Sequence, residues 1–129
     1  MVGIVIVSHS EKAAEGIREV ATEMGGDARI EAVGGTDDGR IGTSPEPISR
    51  AIADAADGNG VVVLVDLGSA VMNAEIAIEE AELEEEVVLA DAPVMEGALN
   101  AAVAAGAPDA TVESVRMAAE DAQRVKKFG

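Results

Sequence analysis

The chain has no cysteine, tryptophan or tyrosine, a single phenylalanine (Phe128), a single histidine (His9), and lysine only at Lys12, Lys126 and Lys127. Without cysteine there is no disulfide, no thiol nucleophile and no cysteine metal site, and composition leaves no mark of redox compartment. One imidazole and no thiol also argue against a transition-metal centre, which takes several nitrogen or sulfur ligands. Positive charge is scarce: 9 Lys and Arg stand against 25 Asp and Glu, for a formal net charge of −16. A surface of that sign repels nucleic-acid phosphates and anionic membranes, so neither nucleic acid nor membrane is an expected partner. The same balance, poor in lysine and rich in Ala, Val and Gly, resembles that of halophilic proteins, in which concentrated salt screens self-repulsion. No apolar run approaches the ~20 residues that span a bilayer, and no basic region precedes the short apolar run at the N-terminus. A soluble, cytoplasmic protein is expected.

A length of 129 residues fits one domain with a real core. The runs "GIVIVS" (3–8) and "GVVVLVDLG" (60–68) are short, β-branched and continuous, the pattern of strands covered on both faces of a parallel sheet. Weaker runs "RIEAVGG" (29–35) and "EVVLADAP" (86–93) predict two more strands. Between them, apolar residues recur at helical spacing: Ala13, Ile17, Val20 and Met24; Ile48, Ala51, Ile52 and Ala55; Val71, Ala74, Ile78 and Ala81. "VMEGALNAAVAAG" and "TVESVRMAAEDAQRVKK" add two helices, split by "GAPDA". The order βαβαβαβαα predicts a single α/β domain, a four-stranded parallel sheet flanked by helices on both faces. Ligands of such folds sit beyond the carboxyl ends of the strands. That selects "SHS" after strand one, the long "GGTDDGRIGTSPEP" after strand two, and "DLGSA" after strand three.

His9 leads the candidates, because it lies where a strand gives way to a helix. The bland alternative is a strand-end histidine bonded to backbone. "SHSE" has the spacing of a capping box, which puts Ser8 and Ser10 at a helix start, where free amides suit an anion such as a phosphoryl group on the ring. Asp66 ends the strand "VVVLVD", where a bare charge is costly. Placed beside His9 it would accept one ring N–H, fix the tautomer and leave the other nitrogen as nucleophile; its alternative is a helix cap. Thr43, Ser44, Gly68 and Ser69 begin the other two helices, ordinary caps taken singly. Three helix starts converging on one histidine make an electrostatic site of the kind phosphoryl transfer needs. No GxxxxGKS loop is present to cradle ATP. Glu75, Glu79, Glu80 and "ELEEE" read as a solvated face, Arg40 as an exposed loop residue able to touch a phosphate, and Met72 and Met95 as core or docking residues.

Four segments carry a resemblance: "GIVIVSHSEKAAEGI", "GTSPEPISRAI", "VVLVDLGSAVMNAEIAIE" and "LADAPVMEGALNAAVAA". They resemble the phosphotransferase subunit of bacterial-type dihydroxyacetone kinase, whose domain is similar to the mannose-family enzyme IIA, over essentially the whole of residues 1–129. The resemblance implies that His9 is phosphorylated by the histidine-containing phosphocarrier protein. The group would pass to ADP held on a nucleotide-binding subunit, which phosphorylates dihydroxyacetone on a third subunit. It implies that Asp66 partners the imidazole, that Thr43, Gly68 and Ser69 line the phosphoryl site with Ser10 at the helix start, and that the chain itself holds no cofactor or metal. Some family members continue into carrier and enzyme I-like domains; here a separate donor protein is expected. An enzyme IIA of a mannose-family sugar transporter, using the same histidine, is the alternative, and "GSAVMNAE" favours the kinase subunit. A receiver domain with Asp66 as acceptor would need an acidic pair where Ser8, His9 and Ser10 stand. A homodimer is also expected, on an apolar stripe of Met95, Leu99, Val103, Val115, Ala119 and Ala122.

Overall fold

A computed structural model describes residues 1–129 in full. The order is β1 (Gly3–Ser8), α1 (Glu11–Gly25), β2 (Arg29–Gly34), α2 (Pro45–Ala55), β3 (Val61–Val65), α3 (Val71–Ala81), β4 (Val87–Leu89), α4 (Val94–Ala105) and α5 (Val112–Asp121). The strands form one sheet in the order β2-β1-β3-β4 with every pair parallel. Both long apolar runs occupy the centre, where two covered faces demand continuous hydrophobicity. Ile4, Ile6, Val62 and Leu64 point into one layer with α1, α4 and α5. Val5, Val7, Val61 and Val63 point into the other with α2 and α3. Each fully buried Val, Ile or Leu contributes about 1.5–3 kcal/mol.

The chain leaves β1 toward β2, then crosses back over β1 to reach β3 and continues to β4. Right-handed crossovers therefore place α1 on one face and α2 and α3 on the other. The connections from β1 and β3 depart in opposite directions, so the switch point lies between the carboxyl ends of these neighbours. His9 and Asp66 follow those two ends.

The helix pattern of α2 is as expected, with Ile48, Ala51, Ile52 and Ala55 buried. That of α1 is displaced: Ala14, Ile17 and Ala21 face inward, while Val20 and Met24 are 41% and 61% exposed and Ala13 is exposed. The cause is close packing of α1 on α4, which a row of alanines permits and larger side chains would block; a Cβ on Gly25 would lie 2.5 Å from that of Ala102. In α3, Ala74 and Ala77 are buried, whereas Val71 lies at the surface and Ile78 and Ala81 are half-buried. The stripe expected to cover a second copy is likewise divided. Val115, Ala119 and Ala122 fill this chain's own core, leaving Met95 and Val103 exposed and Leu99 half-buried. No helix is long and apolar enough to cross a membrane.

Candidate functional site

The site is built from Asp66 outward. Its backbone N–H continues the sheet by donating to the Val7 carbonyl (3.0 Å), which fixes the carboxylate beside the end of β1. Oδ2 accepts the Ser8 hydroxyl (2.8 Å) and the His9 backbone N–H (3.0 Å), and Oδ1 lies 2.9 Å from His9 Nδ1. Partial burial is the largest influence on this carboxyl and opposes ionisation; the His9 N–H, the imidazole and the Ser8 hydroxyl together outweigh it, so Asp66 titrates below the ordinary carboxylate value. An ionised carboxylate facing Nδ1 holds the proton there and leaves the Nε2 lone pair in the ring plane. Nε2 is met by the Ser69 hydroxyl at 3.0 Å. The His9 and Asp66 side chains are 21% and 20% exposed, shielded yet reachable.

The three helix starts surround this pair. Ser10 is the N-cap of α1 and accepts from Ala13 N–H, while its own N–H donates to Ser8 Oγ. The capping box expected from Ser8 to Glu11 is absent, because the strand runs one residue further than the box allows and turns the Ser8 hydroxyl, 1% exposed, toward Asp66. Gly34, at the end of β2, lets that strand press on the same turn: a Cβ there would sit 2.6 Å from the Ser10 carbonyl oxygen. The long loop reaches the histidine through Gly42, whose N–H donates to the His9 carbonyl (2.9 Å). Thr43 and Ser44 follow; Ser44 is the N-cap of α2 but makes no side-chain cap. Thr43 Oγ1 and carbonyl instead accept from Asn73 Nδ2 of α3 at 2.8 and 3.3 Å. Gly68 and Ser69 open a 3-10 turn, Gly68–Ala70, that runs into α3, and no side-chain cap forms there. Ser69 is thus engaged with the imidazole and not with a helix start.

Sequence reasoning passed over Ser8 as a cap and gave Asn73 no role. Ser8 offered no signal that distinguished it from a cap, and Asn73 lay only inside the "GSAVMNAE" segment. Arg40 is exposed, as expected, yet lines a groove of about 350 Å³ together with His9, Lys12 and Ile41. On the far side of Asp66 an apolar groove of about 430 Å³ is lined by Leu67, Val71, Leu89 and Ala92. Met72, expected in the core or at a docking surface, is 71% exposed. The glutamates of α3 and the loop after it are exposed, except Glu85, which binds Gly58 and Gly60 N–H. No three acidic or histidine side chains are placed to hold a metal ion. The arrangement suits a ring nitrogen that attacks an electrophile while the opposite nitrogen's proton is held by a carboxylate.

Comparison with known proteins places the chain in a family. The phosphoryl donor subunit DhaM of PEP-dependent dihydroxyacetone kinase 2 from Listeria innocua is 44% identical over 80% of this chain and 85% of its own length. The corresponding DhaM of Escherichia coli is 38% identical over 98% of this chain, which spans 28% of that longer protein. A crystal structure of a protein of unknown function superposes with a TM-score of 0.82 at 34% identity, covering 100% of both chains. A family model described as the PTS system fructose IIA component, EIIA-man, matches residues 3–116, and the chain therefore belongs to the EIIA-man family.

Proposed function

We propose that this chain is the phosphoryl donor subunit of a dihydroxyacetone kinase, carrying the group on His9 Nε2. The observation that carries the reading is the polarised imidazole: Nδ1 against the Asp66 carboxylate and Nε2 facing the open edge beside Ser69. The names of its relatives, phosphoryl donor subunits of PEP-dependent dihydroxyacetone kinases, support the kinase over a sugar transporter.

The incoming phosphorus is carried on a histidine of the phosphocarrier protein. The Nε2 lone pair forms the new N–P bond as the donor's N–P bond breaks, its electron pair returning to the donor ring. His9 keeps its Nδ1 proton and becomes cationic, and Asp66 neutralises that charge. Ser69 yields Nε2 and turns its hydroxyl to a phosphoryl oxygen, with Ser10, Thr43 and Gly68 around the group. In the second transfer a β-phosphate oxygen of ADP on the nucleotide-binding subunit attacks phosphorus, and the N–P electrons return to Nε2. Positioning and charge stabilisation are the whole of the catalysis this chain supplies. Dihydroxyacetone binds elsewhere, on a further kinase subunit. The same reading includes a cytoplasmic homodimer joined through Met95, Leu99 and Val103. Sedimentation in high salt showing only a 13.0 kDa species would remove that dimer.

The test is incubation with phosphoenolpyruvate, enzyme I and the phosphocarrier, followed by intact mass. One acid-labile, alkali-stable phosphoryl group is expected, absent from His9→Ala. Dihydroxyacetone phosphate should form only when the nucleotide-binding and substrate-binding subunits are added. Delivery instead to a membrane transporter's IIB component would select the sugar-transport role.

A further inference from the structure

Positive charge is the scarcest resource of this chain, with 9 basic residues in a molecule of net charge −16. Two of them, Lys12 and Arg40, line the groove that contains His9, with Glu11 its one acid. The placement of Lys12 goes against local preference. Lys12 occupies the first turn of α1, where the positive end of the helix dipole disfavours a cation. The other two lysines, Lys126 and Lys127, lie near the C-terminus. A local rule broken beside a reacting group is the pattern of a functional position.

Arg40 is held by its backbone, and its tip is exposed on a single carboxylate. Thr36 N–H donates to the Arg40 carbonyl (2.8 Å), Arg40 N–H donates to Thr36 Oγ1 (3.1 Å), and Gly39 N–H donates to the Thr36 carbonyl (3.0 Å). The Gly42 bond to the His9 carbonyl fastens the same loop to the site. The guanidinium, 81% exposed, rests on Asp38 at 2.8 Å, and Asp38 also accepts the Thr36 hydroxyl. An exposed pair of this kind is weak, because solvent screens it and two flexible side chains must be held to make it, so exchanging Asp38 for a stronger anion costs little. A phosphoryl group on Nε2 brings close to two negative charges and three acceptor oxygens, which suit the guanidinium fork better than one carboxylate.

Resting on the phosphohistidine reading of His9, we propose that Arg40, assisted by Lys12, leaves Asp38 and binds the phosphoryl group on His9. The chain thereby keeps a dianion it would otherwise repel. The arginine is an anion clamp parked on an internal carboxylate while the ring is unmodified.

The test uses the full chain, the phosphocarrier, enzyme I and phosphoenolpyruvate. It measures the equilibrium fraction phosphorylated and the ³¹P resonance of the phosphohistidine across pH. Loss of a charge-assisted contact in Arg40→Gln should lower that equilibrium about threefold to tenfold and raise the pH at which the phosphoryl group titrates. Arg40→Lys should restore part of both, Lys12→Gln should show a smaller loss, and Asp38→Asn, by releasing the arginine, should raise the equilibrium. Arg40→Gln matching the wild type in both readouts overturns the clamp, as does Asp38→Asn falling with it, since loop order would then be the cause. Failure of the wild-type chain to accept any phosphoryl group would instead overturn the reading of His9 itself.

Discussion

At each end of β3 a carboxylate gathers hydrogen-bond donors, and only one of the two belongs to the candidate site. Before the strand, Glu85 accepts the N–H of Gly58 (3.2 and 3.1 Å) and of Gly60 (3.0 Å). After it, Asp66 accepts a backbone N–H, a hydroxyl and an imidazole. Glu85 takes donors that do nothing else, so its interactions end in closing a turn. Asp66 takes one donor whose far side is a second ring nitrogen, so its charge is transmitted through the ring to Nε2, the nucleophile of the proposed transfer. The difference lies in what is bound, not in the carboxylate.

The largest expected effect is at Asp66→Asn. The His9 backbone N–H cannot move, so the amide oxygen must stay at the Oδ2 position and the NH2 must face Nδ1. The ring proton is driven to Nε2, which loses its lone pair. Phosphoryl uptake measured by quenched-flow should fall by about 10²-fold or more with the far-UV spectrum unchanged. A rate equal to the wild type would show that the two carboxylates are equivalent after all.

Glu85→Ala should do the converse. With the exposed Gly58 N–H turning to water and the Gly60 N–H left without its acceptor, the loss should be about 1 kcal/mol in chemical denaturation, while uptake per folded molecule stays as it was.

Acid should remove what Asp66 contributes. The Asp66 pKa is lowered on folding, against the opposing effect of its burial, by the bonds from His9 and Ser8. Its stabilisation is therefore complete above its ordinary value of 3.8 and disappears as pH falls below that through the folded value. Stability against pH for wild type and Asp66→Asn should converge in that window. Curves that stay parallel through it would mean that these bonds add nothing to folding.

Smallest of all is Arg50→Ala, which removes a solvent-exposed pair with Glu46. It should shift stability by about 0.5 kcal/mol or less and leave transfer alone. It is the baseline for a charge attached to neither end of β3.

Much of the fold was legible. Two unbroken β-branched runs had to be central strands, and α2 showed its buried stripe plainly through Ile48 and Ile52. The inward faces of α1 and α3 were not legible, because alanine is buried there for its size and larger apolar residues were the stronger signal. The burial of Val115, Ala119 and Ala122 in this chain was not legible for a different reason: their spacing cannot say whether they face this chain's core or another chain. In the site, His9 and Asp66 could be named from their positions at strand ends. Ser8 and Asn73 could not, since a serine beside a helix start looks like a cap and an asparagine inside a helix looks like surface.

The sequence by itself determined which residues can do chemistry here: one imidazole, no thiol, few cations, and loops at strand ends to hold them. It also determined the layers, because hydrophobic continuity and helical spacing are properties of the chain. The tertiary structure decided which hydroxyl serves which partner. It turned Ser8 to Asp66, Ser69 to His9 Nε2 and Thr43 to Asn73, and it brought Arg40 to the groove beside His9. Such choices depend on contacts between residues about 30 to 60 positions apart, and a hydroxyl carries no mark of its partner until the sheet register and the loops have set its distance.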